Sequence, residues 1–305
     1  KQKMRFIKHS VRAPRQFQQV RRRFGISEET QMQDFTQYFK KSVSVLKQKK
    51  LFLLDMDGTI YLDDHLFDGT LDFLRYVKSI GGRYLFLTNN SSKSEQDYVE
   101  KLARLGIPAE KEDFLTSAYA TALFLKQHYP NKLHYVFGTN SFQNALSSAG
   151  LSVTNTLSDN VDCLVLGYDT ELTFQKLEDA CILLGRGVPY IAANPDLVCP
   201  TWYGYVPDCG SVAQALFNAT KRMPKFIGKP QPEMALLALE RTGFEKQDAI
   251  LLGDRLYTDI ACGANAQIDT ALMLSGESTM EDYENSAAKP DYVFQNIKQF
   301  FHVLK

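Results

Sequence analysis

The sequence predicts an α/β protein built on parallel β-sheets. Two observations carry this prediction. Short apolar runs recur along the chain from residue 51 to residue 276, and segments with an apolar residue at every third or fourth position lie between them. Short runs are typical of buried strands, and the wider spacing is typical of amphipathic helices. Regular alternation of strands and helices places parallel strands in a sheet with helices on its faces.

The predicted strands are eight apolar runs, which cover residues 51–55, 83–88, 133–138, 162–167, 189–193, 225–228, 249–254 and 270–276. Three of the segments between them carry signals for the start and the end of a helix. One helix begins after Ser94 and ends before Gly106, and the other two lie within residues 140–150 and 232–243.

The charges are distributed unevenly, although the formal net charge is zero. Residues 1–50 contain 14 Lys and Arg against 3 Asp and Glu, a balance of +11, and the remaining residues contain 21 against 32, a balance of −11. This asymmetry predicts that residues 1–50 form a separate basic extension. The extension is expected to be partly helical, because the apolar side chains of residues 27–46 fall near one helical face.

Three adjacent arginines, Arg21, Arg22 and Arg23, could bind nucleic acid or an anionic membrane. A solvated extension or a packing helix is the favoured interpretation, because no aromatic platform accompanies the charge. We therefore expect neither nucleic acid nor a membrane as a partner.

The composition excludes several classes of protein. With 44% hydrophobic and 23% charged residues the chain is typical of globular proteins, and no apolar run approaches the roughly 20 residues of a membrane helix. The basic first residues lack the apolar stretch of a secretory signal. The five cysteines are odd in number and have no C-x-x-C spacing, so neither a disulfide framework nor a zinc site is expected. These features favour a cytoplasmic location.

The most specific chemical motif follows the first predicted strand, where Asp55 and Asp57 begin the segment DMDGT. Side chains two positions apart on an extended chain point to the same side, so both carboxylates can face one substrate while Met56 faces away. The ends of strands are where open α/β sheets bind ligands. Neighbouring carboxylates repel each other unless a cation or a shared proton relieves them, and their oxygen atoms suit Mg²⁺. An ordinary Asp-Gly turn would explain the last two residues but not the whole pattern.

Two further segments contain candidate phosphate ligands. The run at 83–88 ends in Thr88 and continues with Asn89. A hydroxyl group and free backbone N–H groups at the end of a strand can hold phosphate oxygens. Lys229 lies at the junction of a short strand and the helix at 232–243, and is a candidate counter-charge. Taken alone, each segment is better explained by ordinary loop or surface chemistry.

The run at 249–254 ends in Asp254, and Asp259 follows five residues later. Asp254 would add a third carboxylate to the site. Asp259 would lie in the first turn of the next helix, where it could hold Lys229. In isolation, a turn followed by an acidic residue at the start of a helix would also explain this segment.

Together the four segments resemble the haloacid dehalogenase (HAD) superfamily, whose four motifs they reproduce in order. The segment between the threonine and lysine motifs is similar to the C2-type cap of the NagD-like branch, class IIA. The resemblance covers residues 51 to about 300. It implies a Rossmann-like, doubly wound parallel sheet core formed by residues 51–121 and 213–305. An α/β C2-type cap domain, residues 122–212, would be inserted into this core.

The resemblance also implies the roles of the site residues. The residue that matches Asp55 is the nucleophile, which forms an aspartyl-phosphate, and the residue that matches Asp57 is the general acid and base. The residues that match Thr88 and Lys229 hold the phosphoryl oxygens, and we include Asn89 among the phosphate-binding candidates.

The cofactor implied by the resemblance is Mg²⁺. Its ligands would be Asp55, the backbone carbonyl of Asp57, and Asp254, with Asp259 in support. Charge arithmetic agrees with this assignment, because three carboxylates would repel a phosphate dianion, whereas Mg²⁺ and Lys229 together supply three positive charges.

The segment 193–210 of the predicted cap contains many aromatic, proline and glycine residues. The proline and glycine residues predict an ordered surface loop rather than a strand. In the NagD-like branch this region descends over the active site and selects the leaving group, which makes Asn194, Asp196, Trp202 and Tyr205 candidates for substrate specificity. The aromatic rings could stack on a substrate ring or pack the cap against its neighbour.

The function implied is a Mg²⁺-dependent phosphatase that acts on small phosphomonoesters, such as nucleotide, sugar, polyol or pyridoxal phosphates. A phosphotransferase of the same superfamily would differ only in the acceptor. A regulatory binding module acting through the basic N-terminal segment is the alternative from another class. The expected partners are a small phosphorylated metabolite and a second copy of the chain, bound through the cap.

Overall fold

The computed structural model describes residues 34–201 and 204–305. Its strands are β1 (Leu51–Leu54), β2 (Tyr61–Leu62), β3 (His65–Leu66), β4 (Arg83–Thr88), β5 (Phe114–Thr116), β6 (Leu133–Phe137), β7 (Ser152–Thr154), β8 (Cys163–Leu166), β9 (Tyr190–Ala192), β10 (Val198–Thr201), β11 (Gly204–Pro207), β12 (Lys225–Phe226), β13 (Ala249–Gly253), β14 (Asp269–Met273) and β15 (Tyr292–Phe294).

The α-helices of the described residues are α1 (Val43–Leu46), α2 (Thr70–Ser79), α3 (Glu95–Arg104), α4 (Ser117–His128), α5 (Asn140–Ser148), α6 (Phe174–Gly185), α7 (Cys209–Thr220), α8 (Glu233–Thr242), α9 (Ala261–Ala266), α10 (Met280–Asn285) and α11 (Ile297–Leu304). None of the described helices is long and apolar enough to cross a membrane.

The larger sheet has the strand order β15-β14-β13-β1-β4-β5, and its paired strands are parallel. The central strand β1 pairs Leu54 with Leu252 on one side and with Phe86 on the other. This register ends three neighbouring strands at the same edge of the sheet. The predicted α/β class with a parallel sheet core is confirmed.

The second sheet has the order β12-β9-β8-β6-β7 and is also parallel. Two antiparallel ribbons, β2-β3 and β10-β11, lie outside both sheets. Each of the eight apolar runs overlaps one of the observed strands, and the helices predicted after Ser94 and within 140–150 and 232–243 are present as α3, α5 and α8. The helix α3 begins with the predicted Ser94 cap, whose hydroxyl accepts a hydrogen bond from the backbone of Asp97.

One apolar layer joins the two sheets. Leu51 and Leu53 of β1 belong to a buried cluster that also contains Val136 of β6 and Val165 of β8. The alternate residues of β1 point to the opposite face and contact a different cluster, because successive side chains of a strand face opposite sides. The second sheet is therefore packed on the first through shared apolar side chains.

The described part of the basic N-terminal segment also packs on the core, which corrects the expectation that residues 1–50 are a separate unit. Phe35 and Leu46 are buried, and the buried ammonium group of Lys49 lies 2.9 Å from Asp269 of β14. The excess of positive charge reflects, in part, ion pairing with this acidic side chain. Residues 1–33, which include the three arginines, lie outside the described residues.

In the described part of the range 27–46, the helical residues do not form one continuous helix. Residues Thr36–Tyr38 form one 3-10 turn, Phe39 is extended, and α1 is a single further turn. The extended backbone lets the Phe39 ring pack against the rings of Tyr292 and Phe294, with centroids 5.2 and 5.0 Å away. Aromatic packing on β15 thus overrides the helical spacing.

The predicted boundary between residues 212 and 213 falls inside α7. Ala213 and Leu216 of this helix pack in one cluster with Leu164 of the second sheet, and β12 pairs with β9. The predicted boundary assigned β12 to the core domain. A run of apolar residues does not indicate which of two sheets its strand joins, and β12 joins the second sheet. We propose that the cap domain continues to Phe226.

The segment 193–210 contains the ribbon β10-β11, which corrects its prediction as a loop. The register pairs Val198 with Pro207 and Cys199 with Val206. Prolines are tolerated because each strand of a two-stranded ribbon has only one partner, so the other side of its backbone needs no N–H donor.

Replacing Leu46 tests the packing of the N-terminal segment. Leu46→Ala removes a fully buried side chain and should lower the free energy of unfolding by about 2–5 kcal/mol. Urea unfolding of the full chain measures the change. Lys47→Ala, one residue later and exposed, is the matched control and should change stability by about 0.5 kcal/mol or less. An equally small effect of Leu46→Ala would mean that this segment does not belong to the core.

Candidate active site

The polar residues that follow three neighbouring strands meet at one edge of the larger sheet. Asp55 follows β1, Thr88 ends β4, and Asp254 follows β13. Lys229 reaches the same point from the connection between β12 and α8. The parallel register brings these residues together, because the carboxyl ends of parallel strands share one edge.

Lys229 is the centre of this group, and its side chain is 3% exposed. Its ammonium nitrogen lies 2.6 Å from Oδ1 of Asp55 and 2.6 Å from Oδ1 of Asp259, and it also donates to the Leu87 carbonyl oxygen at 3.3 Å. Burial would lower the pKa of Lys229, but the negative charges of Asp259 and Asp55 outweigh burial and hold this pKa above its ordinary value. The lysine is therefore a fixed positive charge beside the predicted nucleophile.

The carboxyl group of Asp55 has an unusual protonation equilibrium. Burial raises the pKa of Asp55 to about 7, and the ammonium group of Lys229 opposes this rise. A second cation beside Asp55 would favour its ionised form further, and ionised Asp55 is the form that can attack phosphorus.

Asp254 is buried and is held from one side only. Its Oδ2 accepts a hydrogen bond from the backbone N–H of Glu277 at 2.6 Å, whereas its Oδ1 has no hydrogen-bond partner among the described residues. Burial and the charge of Asp55 raise the pKa of Asp254 well above its usual range. A buried carboxylate oxygen without a donor is costly, and a bound cation would satisfy it.

Two glycines let the backbone approach Asp254. A Cβ atom on Gly276 would overlap the Asp254 carboxyl group, and one on Gly58 would lie 2.5 Å from its Oδ2. Gly58 also has φ of 86°, a conformation that side chains disfavour. Only glycine fits at both positions, so the sequence GT after Asp57 helps to shape the pocket of Asp254.

A group of carboxylates could hold a metal ion here. Oxygen atoms of Asp55, Asp254 and Asp259 all lie within 4.8 Å of one another. Asp259 is already committed, because it binds Lys229 and accepts a hydrogen bond from the backbone N–H of Arg255 at 3.1 Å. Asp55 and the unpartnered oxygen of Asp254 therefore fit a divalent cation best, in agreement with the set predicted from the sequence.

Asp57 lies apart from the lysine and its carboxylates, and its side chain is 55% exposed. Its Oδ1 is 3.6 Å from the ammonium group of Lys101, and its Oδ2 accepts a hydrogen bond from the Tyr61 hydroxyl at 3.3 Å. Met56, between the two aspartates, is buried. Met56 is thus enclosed and Asp57 is accessible, and the expectation that Asp55 and Asp57 face one substrate stays a prediction.

The side chain of Asn89 connects the larger sheet with the segments that follow β9 and β12 of the second sheet. Its amide nitrogen donates to the Lys229 carbonyl oxygen and to Oδ1 of Asp196, both at 2.9 Å. These hydrogen bonds engage the side-chain nitrogen of Asn89, and phosphate binding by this residue stays a prediction. Thr88 is largely buried, and its hydroxyl accepts a hydrogen bond from the backbone N–H of Asn90 at 3.2 Å.

The predicted specificity residues occupy different environments. Asn194 is fully buried and donates a hydrogen bond to the Asn89 carbonyl oxygen at 2.8 Å, so it supports the interface between the two sheets, and its role in specificity stays a prediction. Asp196 is also buried, 3.8 Å from the guanidinium group of Arg255. Tyr205 is exposed on β11. Trp202 lies outside the described residues.

Three charged residues of the site were not predicted from the sequence, namely Lys101, Arg255 and Glu277. Arg255 pairs with Glu277 at 2.8 Å and faces Asp196, and Lys101 contacts Asp57. Arg255 directly follows Asp254, and this position next to a predicted site residue is a signal from which it could have been predicted. In the sequence alone, no motif distinguishes Lys101 from other lysines of amphipathic helices.

Comparison with known proteins identifies the family. Residues 52–152 match the haloacid dehalogenase-like hydrolase family, and residues 226–300 match the HAD-hydrolase-like family. An acid sugar phosphatase of Staphylococcus aureus is 35% identical over 254 residues, which cover 83% of this chain and 97% of that protein. The chain belongs to the haloacid dehalogenase-like hydrolases. The resemblance of the four motifs is thus confirmed.

Two solved structures refine the position of this HAD hydrolase within the superfamily. A 4-nitrophenylphosphatase of Thermotoga maritima superposes with a TM-score of 0.82 at 40% identity, covering 86% of this chain and 99% of that protein. A putative NagD protein superposes with a TM-score of 0.74 at 41% identity, covering 80% and 96%. The prediction of the NagD-like class IIA branch is confirmed, and so is that of a phosphoric monoester hydrolase.

Crowding at Asp254 can be tested through Gly276. In Gly276→Ala the new methyl group must displace the Asp254 carboxyl group, and displacement of about 1 Å should reduce metal-dependent activity roughly 100-fold. The measurement is kcat/KM at several Mg²⁺ concentrations, together with Mg²⁺ binding by calorimetry. Gly185→Ala is the control, because no atom lies within 4 Å of its added methyl group. Unchanged Mg²⁺ binding in Gly276→Ala would contradict the placement of the cation at Asp254.

Proposed function

We propose that this HAD hydrolase is a Mg²⁺-dependent phosphatase that cleaves small phosphomonoesters through an aspartyl-phosphate on Asp55. The observation that carries the proposal is the buried Lys229 ammonium group, 2.6 Å from Asp55, at the strand edge where Asp254 keeps an unpartnered oxygen. This arrangement offers a nucleophile, a fixed positive charge and a cation site within one pocket.

In the first step an oxygen of Asp55 attacks phosphorus. A bond forms between this oxygen and phosphorus, and the bond from phosphorus to the ester oxygen breaks. The ester oxygen leaves with the electron pair of that bond and takes a proton from Asp57, so the alcohol departs neutral. Lys229 and the Thr88 hydroxyl hold the phosphoryl oxygens during the transfer.

In the second step water attacks the phosphorus of the aspartyl-phosphate. Asp57, now ionised, takes a proton from this water, the bond between phosphorus and Asp55 breaks, and Asp55 regains its carboxylate as inorganic phosphate forms. Asp57 returns to its protonated form, so the cycle closes. The exposure of Asp57 supports this double role, because both the alcohol and the water must reach it.

The residues that would hold Mg²⁺ are Asp55, the backbone carbonyl of Asp57, and Asp254. When bound, the ion supplies positive charge that offsets the carboxylates and the phosphoryl oxygens. Asp259 supports the site indirectly, since it holds Lys229 from the side opposite to Asp55. The choice of Mg²⁺ over other divalent ions rests on the carboxylate and carbonyl oxygen donors.

The substrates proposed are small phosphomonoesters, such as sugar, polyol, nucleotide or pyridoxal phosphates. The relatives described above are a sugar phosphatase and a 4-nitrophenylphosphatase, which supports this range. A phosphotransferase would use the same first step with another acceptor than water. Exposed Phe174 and Ile182 on α6 of the cap support the predicted homodimer, and a cytoplasmic location stays a prediction.

A deletion of part of the N-terminal segment tests the alternative that the protein is a regulatory binding module. Because residues 34–50 pack on the core, a deletion of residues 1–50 would also remove buried side chains. Deleting residues 1–33 instead leaves the packed residues 34–50 in place. Tight binding to anionic vesicles that is lost on this deletion would favour a regulatory role for the N-terminal segment.

Phosphate release from a panel of phosphomonoesters tests the proposed function. Release should require Mg²⁺, stop in excess EDTA and return when Mg²⁺ is restored, because the carboxylates and the phosphate repel each other without the cation. Asp55→Asn should lower kcat on the order of 10⁴-fold or more, because it removes the nucleophile. Asp72→Asn, an exposed substitution on α2, should leave the rate unchanged. Substantial release in excess EDTA would contradict the proposal.

A further inference from the structure

Asp57 has a lysine of its own, separate from the lysine that serves Asp55. We propose that Lys101 is a positioning residue that, together with Tyr61, holds the Asp57 carboxyl group toward the leaving oxygen of the substrate. The inference rests on the proposed function, since it deepens the role of Asp57 in the first step.

The position of Lys101 is unusual for a lysine of an amphipathic helix. It lies on α3 beside the buried Leu102 and one turn after the buried Tyr98, and its own side chain is only 17% exposed. Among the described residues, Asp57 is the one carboxylate within 4.0 Å of its ammonium nitrogen, at 3.6 Å. The helix therefore presents a mostly buried positive charge to the predicted general acid.

The ring of Tyr61 fixes the ammonium group in place. The Lys101 nitrogen lies 4.0 Å from the centroid of this ring, a favourable position for a cation on an aromatic face. Tyr61 is fully buried, and its carbonyl oxygen accepts a hydrogen bond from the backbone N–H of Gly58 at 2.8 Å. The ring is thus a rigid platform tied to the turn that carries Asp57.

Lys101 and Tyr61 contact different oxygens of Asp57. Lys101 faces Oδ1, and the Tyr61 hydroxyl donates to Oδ2 at 3.3 Å. Burial raises the pKa of Tyr61, and the charge of Asp57 adds to the effect, so the hydroxyl keeps the proton that it donates. No contact from Lys229 reaches Asp57 in the described residues. Lys101 and Tyr61 therefore hold the Asp57 carboxyl group at both of its oxygens.

Stability does not account for this arrangement. An ion pair to a half-exposed carboxylate contributes little to folding. A general acid, in contrast, must lie within hydrogen-bond reach of the atom that it protonates, so a fixed orientation of Asp57 matters for catalysis. Lys101 touches no reacting atom, and its effect must pass through Asp57.

The dependence on the leaving group separates this role from a merely structural one. An alkyl phosphate releases a poor leaving group that needs a proton from Asp57, whereas 4-nitrophenyl phosphate releases a stable anion that needs little protonation. The parameter kcat/KM reports the steps up to departure of the leaving group, so later hydrolysis of the aspartyl-phosphate does not obscure the comparison. The probes are glycerol phosphate and 4-nitrophenyl phosphate, used with the full chain.

In Lys101→Met, kcat/KM for glycerol phosphate should fall about tenfold or more, because part of the contribution of general acid catalysis is lost. The value for 4-nitrophenyl phosphate should fall less than about threefold. Lys101→Arg keeps the charge and the contact with the ring, and should restore most of the glycerol phosphate activity. Arg104→Met, at an exposed position of the same helix, is the matched control and should leave kcat/KM unchanged for both substrates.

Equal losses for the two substrates in Lys101→Met, or no loss for either, would overturn the proposal. Failure of Lys101→Arg to restore activity would also contradict it, because charge and ring contact would then be insufficient. Tyr61→Phe keeps the ring but removes the hydroxyl, and should show a smaller loss with the same substrate preference. If the unaltered chain hydrolysed neither ester, the proposed function would fail, and that outcome is distinct from failure of the Lys101 inference.

Discussion

An ammonium group buried between two carboxylates organises the centre of this molecule. Lys229 lies in the connection after β12, and its side chain reaches the edge of the larger sheet, where Asp55 and Asp259 each lie 2.6 Å from its nitrogen. Burying one unpaired charge would be prohibitive, so each member of this triad requires the others. The triad ties the end of β1, the turn after β13 and the segment that returns from the second sheet to one point.

The triad leaves the remaining charges unbalanced, and this imbalance has a chemical use. Lys229 pairs with Asp55 and Asp259, whereas Asp254 lies close to both carboxylates and keeps an oxygen without a hydrogen-bond partner among the described residues. A divalent cation would neutralise the pocket and prepare it for a phosphate group. Asp57 contacts a different lysine, Lys101, so the two aspartates have separate electrostatic surroundings, as their different roles in the proposed reaction require.

The sequence was sufficient to predict the parallel sheets and the residues at the strand ends. Runs such as 51–55 and 249–254 are wholly apolar because both faces of a parallel sheet are covered. Asp55, Asp57 and Asp254 follow such runs directly, so their common position at one edge of the sheet follows from topology. The resemblance of the motifs supplied their proposed chemical roles.

Other features depend on long-range contacts that no local pattern encodes. Phe39 packs on β15, which breaks the helix suggested by apolar spacing. The sheet that β12 joins is decided by its pairing with β9, far away in the sequence. Asn194 is buried against Asn89, a contact between segments that lie far apart in the sequence. Lys101 reaches Asp57 only because α3 packs over the ring of Tyr61.

The central claim is that Asp55 carries the phosphoryl group between the two steps. Rapid acid quenching of Asp57→Asn during its first turnover of 4-nitrophenyl phosphate, followed by peptide mass spectrometry, tests this claim most directly. The variant can still attack an ester with a stable leaving group, but it lacks the base that activates water for the second step. The account predicts that one phosphoryl group accumulates on the peptide that contains Asp55, at that residue. Phosphate release without any phosphorylated peptide, or a phosphoryl group on another residue, would contradict the account.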